Sequence, residues 1–197
     1  MAVLLFTTFL LLLVRLLKRP KANTILVIGL SSSHKTVLFY QISTFTTYSI
    51  FFCRDDSFHQ GIVTPMVNPI YVIDVSGHSR LDDFLPEVAG IVFVVDAVEF
   101  LPNCRAASDF ICTMYLYNIL TKASVVRKKI PVLILCNKTN KVTAHSKEFI
   151  LKQWRRKSLG ERFAFSQCQN KVTVGEASGL GGEISQVEQF IRDNIKS

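Results

Sequence analysis

The stretch NTILVIGLSSSHKTVLFYQ, residues 23–41, decides the fold. Thr24–Ile28 is a short, continuously apolar, β-branched run, which reads as a strand buried on both faces. Gly29 opens a turn, and Thr36–Thr44 reads as a helix. Backbone N–H groups from Gly29, Ser31, Ser32, Ser33 and His34 can wrap a phosphate chain in such a turn. The helix N-terminus adds positive potential, Lys35 neutralises phosphate oxygens, and Thr36 can ligate Mg²⁺. The full pattern for this chemistry is GxxxxGK[ST], and here His34 occupies the second glycine. A Cβ and an imidazole there hinder the approach of phosphates, and a left-handed backbone would carry a strain of ~1–2 kcal/mol. A plain Ser-rich strand-to-helix turn is the alternative reading.

Outward from this stretch, Ile70–Val75, Ile91–Val95 and Ile130–Cys136 repeat the apolar strand pattern, with Lys171–Val174 a weaker last strand. Helices are expected over Asn103–Lys122, Ala144–Lys157 and Gly182–Ile195. The last sets Ile184, Val187, Phe190, Ile191 and Asn194 on one face. Alternating strands and helices imply a doubly wound, mostly parallel α/β sheet over residues 23–197, with ligands at the C-terminal strand ends.

Three further strand ends carry chemistry. Asp74-Val-Ser-Gly77-His78 pairs an acid able to hold Mg²⁺ through water with a glycine whose amide can reach a γ-phosphate. His78 stands where a residue orienting an attacking water would be, or is an exposed loop histidine. Asn137-Lys138-Thr139-Asn140 approaches NKxD, whose aspartate accepts two hydrogen bonds from guanine. Asn140 offers one acceptor and one NH₂ donor, so guanine affinity falls and a base with a carbonyl at position 2 fits better. Alternatively, the loop binds no base. Glu176-Ala-Ser178-Gly179 suits donation of a backbone amide to a base carbonyl.

The chain has 197 residues, five cysteines without a CxxC pair, and a net charge of +8. The scattered cysteines argue against a disulfide scaffold or zinc cluster and suit a reducing compartment. Half of the net charge lies in Arg15, Lys18, Arg19 and Lys21, directly behind an apolar run. As a helix, Met1–Leu17 would span roughly 25 Å, just short of the ~30 Å hydrocarbon core. A membrane anchor over residues 1–19, with its basic flank cytosolic, is therefore expected. A signal peptide would carry its bases first; a buried core helix is the other alternative. The basic runs Arg127–Lys129 and Arg155–Lys157 are short and read as solvated faces, so no direct nucleic-acid partner is expected.

In order, these blocks resemble the Ras-like small GTPases, and among them the β subunits of the signal recognition particle receptor, plant members especially. IVFVVDAVEFLPNCRAAS, KKIPVLILCNKTN and KVTVGEASGL add to the likeness. The resemblance implies a P-loop GTPase-like domain on a single-pass endoplasmic-reticulum anchor, facing the cytosol. GTP and Mg²⁺ would be its ligands, with slow or absent hydrolysis. It implies the receptor's α subunit as partner, with ribosome and translocon engaged indirectly. Carried over, Gly29, Ser31, Ser32, Ser33, His34, Lys35, Thr36, Gly77, Asn137, Lys138, Asn140, Ser178 and Gly179 would hold GTP. Thr36, Thr64 and Asp74 would hold the metal, and His78 would be catalytic.

Several features depart from the family. His34 replaces a glycine, Ser76 a proline and Asn140 an aspartate. Only Pro65–Pro69 separates Thr64 from the strand carrying Asp74, so the family's second strand reads as deleted. Ser43–Arg54 and Ile111–Met114 read as inserted, and Trp154–Phe165 as shortened, a pattern suggesting altered exon joining or a decayed copy. Thr46–Cys53 is a candidate for the vacated sheet edge. A nucleotide-free pseudo-GTPase of the same fold is the second functional reading. An Arf/Sar-type GTPase, which uses a lipid or an amphipathic N-terminal helix, is the third.

Overall fold

The computed structural model describes residues 22–45, 53–55, 58–63, 70–75, 81–100, 107–157 and 168–195. The first strand, β1 (Thr24–Gly29), is followed by a 3₁₀ turn over Ser31–Ser33 and helix α1 (Lys35–Phe45). Next come β2 (Cys53–Asp55), β3 (Phe58–Val63), β4 (Ile70–Val75), α2 (Leu81–Phe84) and β5 (Val88–Asp96). Helices α3 (Ala107–Thr121) and α4 (Ala123–Lys128) lead to β6 (Val132–Asn137) and α5 (Lys147–Lys157). Strand β7 (Val172–Glu176) and helix α6 (Ser185–Asn194) complete the described chain.

The sheet runs β2-β3-β4-β1-β5-β6-β7, and its five strands from β4 to β7 are parallel. Side chains alternate across β1, and both faces are covered. Leu26 and Ile28 join the core under α3 and α5 with Phe93, Ile134, Ile119 and Trp154. Ile25 and Val27 join the opposite core with Leu38, Phe39, Val187 and Phe190 of α1 and α6. This double burial is why the strands read as unbroken apolar runs. The expected α6 face is buried at Ile184, Val187, Phe190 and Ile191. Gly90 is required by that packing: a Cβ there would stand 2.9 Å from the Phe190 ring.

One expectation is corrected. The edge beside β4 is not vacant, because β3 pairs antiparallel with it, and β2 pairs beyond β3. Residues 58–63, ahead of the segment read as missing a strand, thus form the edge strand themselves, since an open edge presents unpaired N–H and C=O groups that a neighbouring segment satisfies. Of the candidate filler Thr46–Cys53, only Cys53 is described, and it lies in the outer strand. The register sets His59 opposite Asp74 and Val63 opposite Ile70. Val63 therefore stands about 13 Å along the strand from the level of Asp74, at a rise of ~3.3 Å per residue. Thr64, the expected metal ligand after it, lies outside the described residues, as do Gly77 and His78. The expected anchor over residues 1–19 also lies outside them. Among the described residues no helix is long and apolar enough to cross a membrane.

Candidate nucleotide site

The C-terminal ends of β1, β4, β5, β6 and β7 meet at one edge of the sheet, and the β1–α1 loop lies across it. Gly29 lets the loop cross β5 closely, because a Cβ there would sit 2.3 Å from the Val94 carbonyl oxygen. The loop then closes upon itself. Leu30 O accepts the Ser33 N–H at 3.1 Å, the Ser33 hydroxyl at 2.7 Å and the Lys35 ammonium at 3.0 Å. His34 takes the left-handed conformation, φ 58° and ψ 36°, which explains why the pattern prefers glycine there. Its carbonyl accepts the Leu38 N–H at 3.2 Å.

Asp74 meets this loop from β4. The Thr36 hydroxyl donates to Asp74 Oδ2 at 2.8 Å, across 38 residues of sequence. The carboxylate is 1% exposed, and its Oδ1 has no hydrogen-bond partner among the described residues. A buried carboxylate with one idle oxygen, beside a threonine hydroxyl, is a donor set that fits a hard cation or its bound water. Lys35 lies buried nearby. Burial pulls its ammonium below the usual lysine range, and the Asp74 charge opposes that shift.

Asn137 ties the two halves of the site together. Its buried Nδ2 donates to Ser33 O at 2.9 Å, and its Oδ1 accepts the Gly179 N–H at 2.9 Å. Lys138, itself left-handed at φ 69°, forms an ion pair with Asp96 at the end of β5. Asp96 Oδ1 also accepts the Val98 N–H at 2.9 Å and the Glu99 N–H at 3.2 Å. A cavity of about 250 Å³ opens here, lined by His34, Val98, Asn137, Lys138, Asn140 and Leu180, among others. It is smaller than the ~300–1,000 Å³ typical of a whole small-molecule site, and suits one base.

The structure thus brings together Lys35, Thr36 and Asp74 at one point, and His34, Asn137, Lys138 and Asn140 at another. Ser178 and Gly179 make hydrogen bonds within the protein. The Ser178 hydroxyl accepts the Gly181 N–H of its own turn at 3.1 Å, Gly179 N–H is taken by Asn137, and Leu180 lines the cavity instead. Asp96 was missed by sequence reasoning, although an acid ending a buried apolar strand is the same signal that marks Asp74.

A phosphate-type loop at the switch of a parallel sheet, a strand-end carboxylate on its threonine and an NKxN loop at a small cavity define a P-loop domain of the small-GTPase type. The sequence profile described as "Signal recognition particle receptor beta subunit" matches residues 20–165. The chain belongs to that family. It is similar to the signal recognition particle receptor subunit beta of Dictyostelium discoideum, 32% identical over 133 residues, covering 61% of this chain and 41% of that protein. The subunits beta of Mus musculus and Homo sapiens are 26% and 27% identical over 200 residues, covering 84% of this chain and 71% of theirs. Among solved structures, "The Structure of the Mammalian SRP Receptor" superposes with a TM-score of 0.68 at 25% identity, covering 86% of this chain and 98% of that one.

Proposed function

We propose that this chain is a membrane-anchored, GTP-binding β-type subunit of the signal recognition particle receptor that holds an α subunit at the endoplasmic-reticulum membrane. Residues 1–19 serve as the anchor, and bound GTP orders the domain for its partner. The observation that carries the nucleotide part is the Thr36–Asp74 hydrogen bond beside the idle Asp74 Oδ1. Thr36 and Asp74 would hold Mg²⁺, which supplies charge neutralisation for the phosphates when bound. Lys35 leaves the Leu30 carbonyl to meet those phosphates, and the cavity at Asn137, Lys138 and Asn140 receives the base. Thr64, the third expected metal ligand, lies outside the described residues. Since the chain spans 41% of the Dictyostelium relative, the subunit's whole activity and partners are part of the proposal.

A specific observation favours a second reading, a nucleotide-free interaction module. Three donors of the phosphate loop already converge on Leu30 O, and His34 adds an imidazole to the cavity wall. The two are separated by titrating the full chain in detergent with fluorescent GTP, XTP and ATP, with and without Mg²⁺. Magnesium-dependent GTP binding that Lys35→Ala abolishes supports the first reading. Co-precipitation of the α subunit with no nucleotide bound leaves the second.

A further inference from the structure

A second cavity, of about 620 Å³, opens at the opposite edge of the sheet from the nucleotide site. Ala22 forms one wall just ahead of β1, with Val88 at the start of β5 and Ile130 just ahead of β6. Arg127 and Lys128, from the last turn of α4, bring positive charge to the opening. The Lys128 ammonium is held in place by the carbonyls of Leu85, at 3.0 Å, and Pro86, at 2.7 Å. Lys129 follows, left-handed at φ 52°, and caps the helix. Two exposed acids, Glu87 and Asp193, adjoin the lining in sequence and leave the rim basic by one charge among these residues.

The position of Ala22 decides what this cavity faces. If residues 1–19 form the anchor, three residue steps separate Arg19 from Ala22, a reach of at most about 11 Å. The polar headgroup layer is itself roughly 5–7 Å thick on each side of the hydrocarbon core. The cavity wall at Ala22 therefore lies at the membrane surface, and the nucleotide site points away from it. We infer that this basic cavity is a binding site for the phosphate headgroup of an anionic lipid. Arg127 is the phosphate ligand, since guanidinium matches phosphate oxygens with paired donors. Lys128 is the fixed second cation, and Ile130 and Val88 offer an apolar wall to the glycerol region.

This inference rests on the anchored reading, so its test separates the two. The full chain is reconstituted in nanodiscs of phosphatidylcholine alone or with phosphatidic acid, and amide hydrogen exchange is followed over residues 122–131. Slower exchange only with phosphatidic acid is expected. Arg127→Glu should weaken that docking beyond the roughly 30-fold that reversing one basic charge at a membrane surface produces. Arg127→Lys should retain most of it. Exchange that is equal in both lipids, or a difference that survives Arg127→Glu, overturns the site while leaving the anchor intact. Release of the chain from membranes by alkaline carbonate overturns the anchored reading, and the site with it.

Discussion

His34 offers the sharpest test, because its two effects can be separated. The residue holds φ 58° and ψ 36°. A left-handed backbone costs an L-residue about 1–2 kcal/mol, which glycine avoids. Glycine also loosens the unfolded chain, which offsets about 0.4–1 kcal/mol of that gain. His34→Gly should therefore stabilise the free domain by about 0.5–1 kcal/mol and raise Tm by about 1–4 °C for a chain of this size. His34→Ala keeps the Cβ and its strain but removes the imidazole from the cavity. It should leave Tm unchanged or lower it. Both variants should bind GTP more tightly than the parent chain, by about tenfold for each 1.4 kcal/mol of hindrance removed. Thermal melts of the ligand-free chain read the strain, and fluorescent-nucleotide titration reads the bulk. A His34→Gly protein that melts no higher than His34→Ala refutes the strain argument. Unchanged affinity in both variants refutes the steric one.

Asn137→Ala removes the buried links to Ser33 O and the Gly179 N–H. Each orphaned group costs about 1–3 kcal/mol, so a clear drop in the urea midpoint is expected, and an unchanged midpoint would contradict the bridging role. Asn140→Asp restores a double acceptor, and should shift the GTP-to-XTP affinity ratio by about 10- to 100-fold toward GTP in competition titrations. Burial, aided by the Glu176 charge, pushes the Cys136 thiol from its ordinary 9.0 up to about 12, and burial pushes Tyr115 from 10.0 to about 12. Both folded groups keep protons that the unfolded chain releases, so their stability contribution is full below pH 9 and is lost as pH rises toward 12. Urea melts across that window should show the decline, and Cys136→Ala should flatten part of it.

Reading the residues in order was enough wherever the deciding interaction is local. Continuous apolar runs mark strands covered on both faces, and Ile70–Val75 ends in the structure where the run ends. The α6 face was legible because its period is helical, and the left-handed demand at position 34 was legible because the pattern asks for glycine there. The fold class, the phosphate loop and the NKxN loop were all recoverable on this basis. The β3 strand was not, because an edge strand is chosen by whichever segment satisfies the open side of β4.

The rest of the site depends on contacts between distant residues, which no periodicity reports. Asp96 reaches Lys138 across 42 positions, and Thr36 reaches Asp74 across 38. Asn137 joins Ser33 to Gly179 across more than a hundred. The sequence by itself determined the parallel strands, their main helices and the strand ends at which the P-loop-like and NKxN stretches fall, since these follow from side-chain type and spacing along one chain. Only the tertiary structure decided which donors the β1–α1 loop turns on its own carbonyl, which residues line the cavity beside Asn137 and what fills the sheet edge. Those outcomes are set by hydrogen-bond satisfaction between segments that meet only after the sheet has assembled.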